Sequence, residues 1–218
     1  MTFPVTPSPN PRTTVVPKSR NTLVPARWQQ AAIVPGVLVA VMVVVQIVNS
    51  VPALNVVQHT GIDPRRVDGL LGILTAPFVH GSWSHLLANA VPLMIFGFLL
   101  MVNGARQFIA VTVLVWLVSG IGVWLTAASG TTVVGASGIV FGWLAYLVVR
   151  GVFTRNLGQI LVGLVLLALW GGIFWGVLPG ANGISWQAHL FGALGGVLAA
   201  FLAAKADGPR RKTPALTA

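Results

Sequence analysis

Apolar residues along this chain gather into six long runs, at roughly 31–51, 85–102, 107–126, 135–149, 158–178 and 185–204. The segments between them are mostly short, and all the charge lies in these segments and in the two ends. A helix needs about 20 apolar residues to cross ~30 Å of hydrocarbon, and these runs have that length or come near it. The pattern predicts an all-α membrane protein, a bundle of six transmembrane helices over 31–204. Residues 1–30 precede it, rich in Pro and Thr and without apolar periodicity, and are expected to be disordered. They do not read as a signal peptide, because the first run starts late and no small-residue cleavage site closes it. A basic tail, 205–218, follows the last run, and no internal repeat is visible.

One connection departs from the pattern. Residues 52–84 are too many for a bare turn. Within them, "GIDPRRVDGLLGIL" offers Asp63 as a helix N-cap and Pro64 at the first helical position. Leu70, Leu71, Ile73 and Leu74 form an apolar cluster, and Trp83 suits the headgroup region. This loop is expected to hold an interfacial helix lying against the bundle.

Composition sharpens the class. Of 218 residues, 56% are hydrophobic and 7% charged, a balance that fits an integral membrane protein and no soluble domain. Cysteine is absent, so disulfides, thiolate metal sites and cysteine nucleophiles are excluded. Glutamate is absent too, which leaves Asp63, Asp68 and Asp207 as the acids. The net charge of +10 suggests nucleic acid until its distribution is read. Arg12, Lys18, Arg20, Arg27, Arg106, Arg150, Arg155, Lys205, Arg210, Arg211 and Lys212 all fall on one side of a six-span topology. Only Arg65 and Arg66 fall on the other. Positive residues mark the cytoplasmic side, so both termini are expected there, in a bacterial plasma membrane, with no nucleic-acid partner.

With that topology, spans two, four and six all begin on the external side. The second carries His85 and Asn89, four residues apart and so on one helix face. The fourth begins "GASG", with Ser137 between Gly135 and Gly138, and the sixth carries His189 about one turn in. Each has a plain reading. Ser137 can be a packing residue, Asn89 inter-helix glue worth about 0.6 kcal/mol, His85 an interfacial histidine, and His189 a hydrogen-bonding partner for a neighbouring helix. Together at one depth they read as a site. Gly138 with Gly142, and Gly192 with Gly196, form GxxxG pairs that let two backbones approach. Gly192 and Gly196 share a face with His189, which would bring His189 beside Ser137. Span four has roughly 15 residues, about 22 Å, so Ser137 would lie below the bilayer surface.

The chemistry of such a group is acyl transfer. Ser137 can attack a carbonyl carbon, His189 can take and return its proton, and Asn89, His85 and the Ser137 N–H can donate to a developing oxyanion. A zinc HExxH site needs glutamate, and an aspartyl dyad needs two intramembrane aspartates; neither is present.

These elements resemble the rhomboid intramembrane serine proteases: "HGSWSHLLAN" with His80, His85 and Asn89, "GASG" around Ser137, and "AHLFGALGG" around His189. The resemblance covers about 52–204 and includes the order of the motifs and their place on spans two, four and six. It implies a Ser137–His189 dyad with His85 and Asn89 as oxyanion donors. It also implies transmembrane segments of other proteins as substrates, and no metal or cofactor. Two positions depart from the family pattern. Leu71 and Gly72 stand where many members have a Trp-Arg pair in the first loop, which puts that loop's anchoring in question. Phe141 stands where many have a tyrosine beneath the histidine. His80 matches a family histidine and is expected to be structural or water-organising. The competing functions are a rhomboid-fold protein that binds membrane segments without cutting them, and a small-solute channel or transporter.

Overall fold

The computed structural model describes residues 26–180 and 183–207. The expectations for residues 1–25 and 208–218 lie outside this range. Six helical segments are long and apolar enough to cross a membrane. They are α1 (Ala26–Asn49), α2 (Trp83–Val102), α3 (Ala105–Thr126), α4 (Ser137–Thr154), α5 (Leu157–Trp170) and α6 (Trp186–Asp207). Helices close their own backbone hydrogen bonds, which is the condition for standing in lipid. No strand occurs among the described residues; Ile62 and Val133 form one isolated antiparallel bridge.

The ends of three helices differ from the sequence expectation. α1 begins at Ala26, ahead of the apolar run, because Trp28 and its polar neighbours continue the helix beyond the apolar stretch. α4 runs on through Arg150 to Thr154, giving 18 residues and a length of about 27 Å. Arg150 can stay in the helix because its guanidinium is buried against α6, paired with Asp207. α5 has only 14 residues of α-helix. At Gly171 and Gly172, which favour helix weakly, it tightens into a 3-10 segment, Gly171–Val177, and reaches spanning length only with it.

α4 is the central helix, with 67% of its apolar window buried, against 11% for the segment containing α5. α6 packs against both α4 and α3, α1 packs on α2, and α5 lies on the outside of α4. The α4–α6 contact is backbone against backbone. A Cβ at Gly192 would overlap the Gly138 carbonyl, one at Gly196 the Gly142 carbonyl, and one at Gly142 would lie 2.8 Å from the Gly192 oxygen. Both GxxxG pairs therefore face each other, with Cα–H groups directed at carbonyls. α3 closes the third side, where the Ser119 hydroxyl donates to the Ala188 carbonyl at 2.9 Å.

The first loop is ordered differently from the expected single helix. Asp63 caps none: Pro64 and Arg65 form a turn, with Arg65 at φ 59°. The Asp63 carboxylate instead accepts from the Thr132 hydroxyl at 2.8 Å, because the bridge at Ile62 brings that hydroxyl within reach. Helical structure in the loop comes in five short pieces: Pro52–Leu54 and Val56–Thr60 before this turn, and Asp68–Leu70, Gly72–Thr75 and Ala76–Phe78 after it. Ile73 turns inward, while Leu70, Leu71 and Leu74 face outward.

The loop is tied to α3 and to the segment that follows it. The Arg65 guanidinium donates to the Leu125 carbonyl and the Ser129 hydroxyl, and the Trp124 indole N–H donates to the Arg66 carbonyl at 2.8 Å. Trp116 of α3 donates to the Ile73 carbonyl. Gly72 has no room for a side chain, since a Cβ there would overlap the Gly61 backbone.

Gly192→Leu is expected to lower detergent stability by about 1–3 kcal/mol, the cost of overpacking a tight contact. Gly36→Ala, whose added Cβ meets only the Met94 terminal methyl at 3.9 Å, is expected not to lower it and to raise it by up to about 1 kcal/mol, because alanine favours helix over glycine. Thermal unfolding of both variants in one detergent checks this, and equal melting temperatures would contradict the backbone contact described.

Candidate active site

The turn before α4 is built so that Ser137 opens a helix facing a cavity. Gly135 sits at φ 115°, a conformation that favours glycine, and a Cβ on it would lie 2.7 Å from the His85 ring. Two bonds tie this turn to the first loop. Gly135 N–H donates to the Ala76 carbonyl at 2.9 Å, and Ala136 N–H donates to His80 Nε2 at 3.4 Å. His80 is fully buried, its carbonyl receives Asn49 Nδ2 at 2.9 Å, and its ring stands edge-on to His85 with centroids 5.0 Å apart. Because its Nε2 accepts, the neutral His80 ring carries its proton on Nδ1. The structure thus gives His80 a place behind the serine turn, out of the cavity.

On α2, the Ser82 hydroxyl caps the helix by accepting from His85 N–H at 3.1 Å. One turn later, buried Asn89 donates from Nδ2 to the His85 carbonyl at 2.8 Å. One of its two amide protons is thus used within α2, and the other is left for a ligand.

On α6, the His189 ring lies flat on Phe141, with centroids 3.9 Å apart and planes 8° apart. Its Nδ1 is 3.0 Å from the Gly176 carbonyl. A carbonyl only accepts, so Nδ1 carries the proton and Nε2 keeps its lone pair. Phe141 thus stacks on the histidine but offers it no hydrogen bond.

Ser137, His189, His85, Asn89 and Phe141 line one cavity of about 990 Å³. Ser137 and His189 are not joined by a hydrogen bond here, and the one side-chain bond of the histidine runs from Nδ1 to Gly176; nucleophile–base bonds are often loose before substrate binds. The cavity extends between α2 and α5, where Leu87, Val91, Trp170 and Ile173 line it. Leu87 and Val91 are otherwise exposed on the α2 surface. Deeper in the bundle, Phe96 and Trp170 meet edge to face, with centroids 5.5 Å apart, and join α2 to α5. A neighbouring cavity of about 390 Å³ shares Gly81, His85 and Ser185 and runs along the 127–134 loop.

Six helical segments long and apolar enough to cross a membrane define a multi-pass helical membrane protein. Residues 68–206 match the Rhomboid domain, and the chain belongs to the rhomboid family. It is also similar to proteins described only as uncharacterised. One, from Mycobacterium tuberculosis, is 38% identical over 96% of this chain and 88% of its own length. Another, from Mycobacterium leprae, is 37% identical over 87% of this chain and 77% of its own.

Sequence reasoning missed four contributors. Gly176 acts through a backbone carbonyl, which no residue type announces. Asn49 reads as the polar end of a span. Arg65 and Trp124 lie 59 residues apart in sequence, and nothing local pairs them.

Burial pushes His80 down from its ordinary 6.5 to about 4; neighbouring His85 adds to the shift and the Phe78 carbonyl opposes it. The unfolded chain takes this proton near 6.5 and the folded chain only near 4. Between those values the unfolded state binds more protons, so stability falls as the pH falls. The melting temperature of His80→Gln is expected to drop less steeply than that of the unmodified protein over this window. Parallel slopes would mean that His80 is not a buried neutral histidine.

Proposed function

We propose that this chain is an intramembrane serine endopeptidase that hydrolyses peptide bonds in or near transmembrane segments of other membrane proteins. One observation carries the reading: Ser137 and His189, on two helices in glycine contact, line the same cavity, and the histidine ring is held with Nε2 unprotonated. In the proposed reaction Ser137 Oγ attacks the substrate carbonyl carbon while His189 Nε2 takes the hydroxyl proton. The oxyanion meets the Ser137 N–H, the free Asn89 amide proton and a His85 ring N–H. His189 then returns the proton to the leaving amine, the C–N bond breaks, and an acyl-enzyme remains. Water, deprotonated by the same histidine, releases the acid product and restores Ser137.

The cavity's extension between α2 and α5 supports access from lipid. A transmembrane substrate satisfies its own backbone groups, so its carbonyls are closed to attack until it unwinds where polar groups can take over. In the proposed orientation both termini are cytoplasmic and the Ser137 end of the bundle faces outward, in a bacterial plasma membrane. The bacterial relatives and the distribution of basic residues support this.

Purified protein incubated with test transmembrane substrates is expected to cleave them, and Ser137→Ala and His189→Ala to abolish cleavage. Substrate binding without cleavage by the unmodified protein would favour the non-cutting rhomboid-fold reading. Asn89→Ala is expected to reduce turnover by about 10²–10³, with little change in melting temperature. Equal losses in both would return Asn89 to a purely structural role.

A glycine pair moved along one substrate span gives a further test. Glycine costs about 1 kcal/mol of helix stability relative to alanine. Faster cleavage is expected only when the pair lies toward the outer end. Cleavage indifferent to depth would contradict the site and orientation together.

A further inference from the structure

We infer that the Gly176 carbonyl is the positioning group for the His189 base, in the place a buried carboxylate has in a three-residue serine site. This rests on reading His189 as the base. The carbonyl receives Nδ1–H at 3.0 Å, while Phe141 fixes the ring plane from one face at 3.9 Å. The same 3-10 segment backs that stack, since Phe174 meets the Phe141 ring at 6.1 Å and 89°. Segment Gly171–Val177 thus sets both the proton position and the ring plane.

The chain frees this carbonyl by its own chemistry. Continued as a 3-10 helix, the chain would have the carbonyl of residue 176 accept from the N–H of residue 179. Residue 179 is Pro, which has no N–H. Leu178, ahead of the proline, is extended and ends the segment, so the Gly176 oxygen receives no bond from residue 179 and is available to His189. Glycine is required there as well, because a Cβ would lie 2.9 Å from His189 Nδ1 and 3.2 Å from Phe141. No aspartate competes for the role: Asp63 is bound to Thr132, Asp68 to Arg66, and Asp207 to Arg150. A neutral acceptor holds the base without the cost of burying a carboxylate at membrane depth.

An amide-to-ester exchange in the full-length protein tests this. Val177→α-hydroxyisovaleric acid turns the Gly176 carbonyl into a weaker ester acceptor. Gly176→glycolic acid removes a neighbouring N–H but leaves that carbonyl an amide. The first is expected to lower kcat about tenfold with KM nearly unchanged, and the second to change kcat by no more than about twofold. In protein labelled with nitrogen-15 histidine, His189 is expected as the Nδ1–H tautomer, with that population reduced by the first exchange only. An Nε2–H tautomer in the unmodified protein, or equal effects of both exchanges, would overturn the inference. Inactive unmodified protein with the Nδ1–H tautomer intact would instead count against the protease reading alone.

Discussion

The contact on which the rest depends is the close approach of α4 and α6. Gly138, Gly142, Gly192 and Gly196 bring two helix backbones into direct contact, and each carries one member of the candidate pair near its first turns. With larger residues there, Ser137 and His189 would sit at ordinary helix spacing, 8–10 Å between axes, with a layer of side chains between them. Within a bilayer, packing of this kind takes the place of the hydrophobic drive that assembles soluble cores. The seam is therefore both the fold's strongest constraint and the ruler for its chemistry.

Polar groups in this bundle are kept neutral or paired. His80 and His189 each carry an assignable proton position, fixed by what the other nitrogen or an adjacent carbonyl does. Arg150, the buried charge of α4, meets Asp207 at the end remote from Ser137. Neutral hydrogen-bonding groups thus gather at one end, and a compensated charge pair holds the other. That division fits a site in which proton transfer, rather than fixed charge, is the proposed chemistry.

Much of this was legible in the sequence, because apolar run length and glycine spacing are one-dimensional signals of membrane crossing and close packing. Span count, the glycine seam and the convergence of His85, Asn89, Ser137 and His189 on one cavity all follow from such signals. The loop did not. Asp63 has the residue type and spacing of a helix cap, but Thr132, 69 residues away, competes for the same carboxylate and wins. The orienting carbonyl of Gly176 was invisible for another reason: its signal is a missing N–H three residues later, at Pro179. Extension of α4 past Arg150 was hidden because its partner Asp207 lies on the far end of the last helix.

The attachment of the serine turn to Ala76 and His80 makes the first loop part of the scaffold that shapes the candidate nucleophile. Loop and bundle are held by different forces, the loop by a handful of polar bonds at the membrane surface and the bundle by interlocked backbones within it. Inactivation and unfolding are then separable events. A protein whose loop has come away retains its six long helices and its place in the membrane, yet its serine turn has lost its brace.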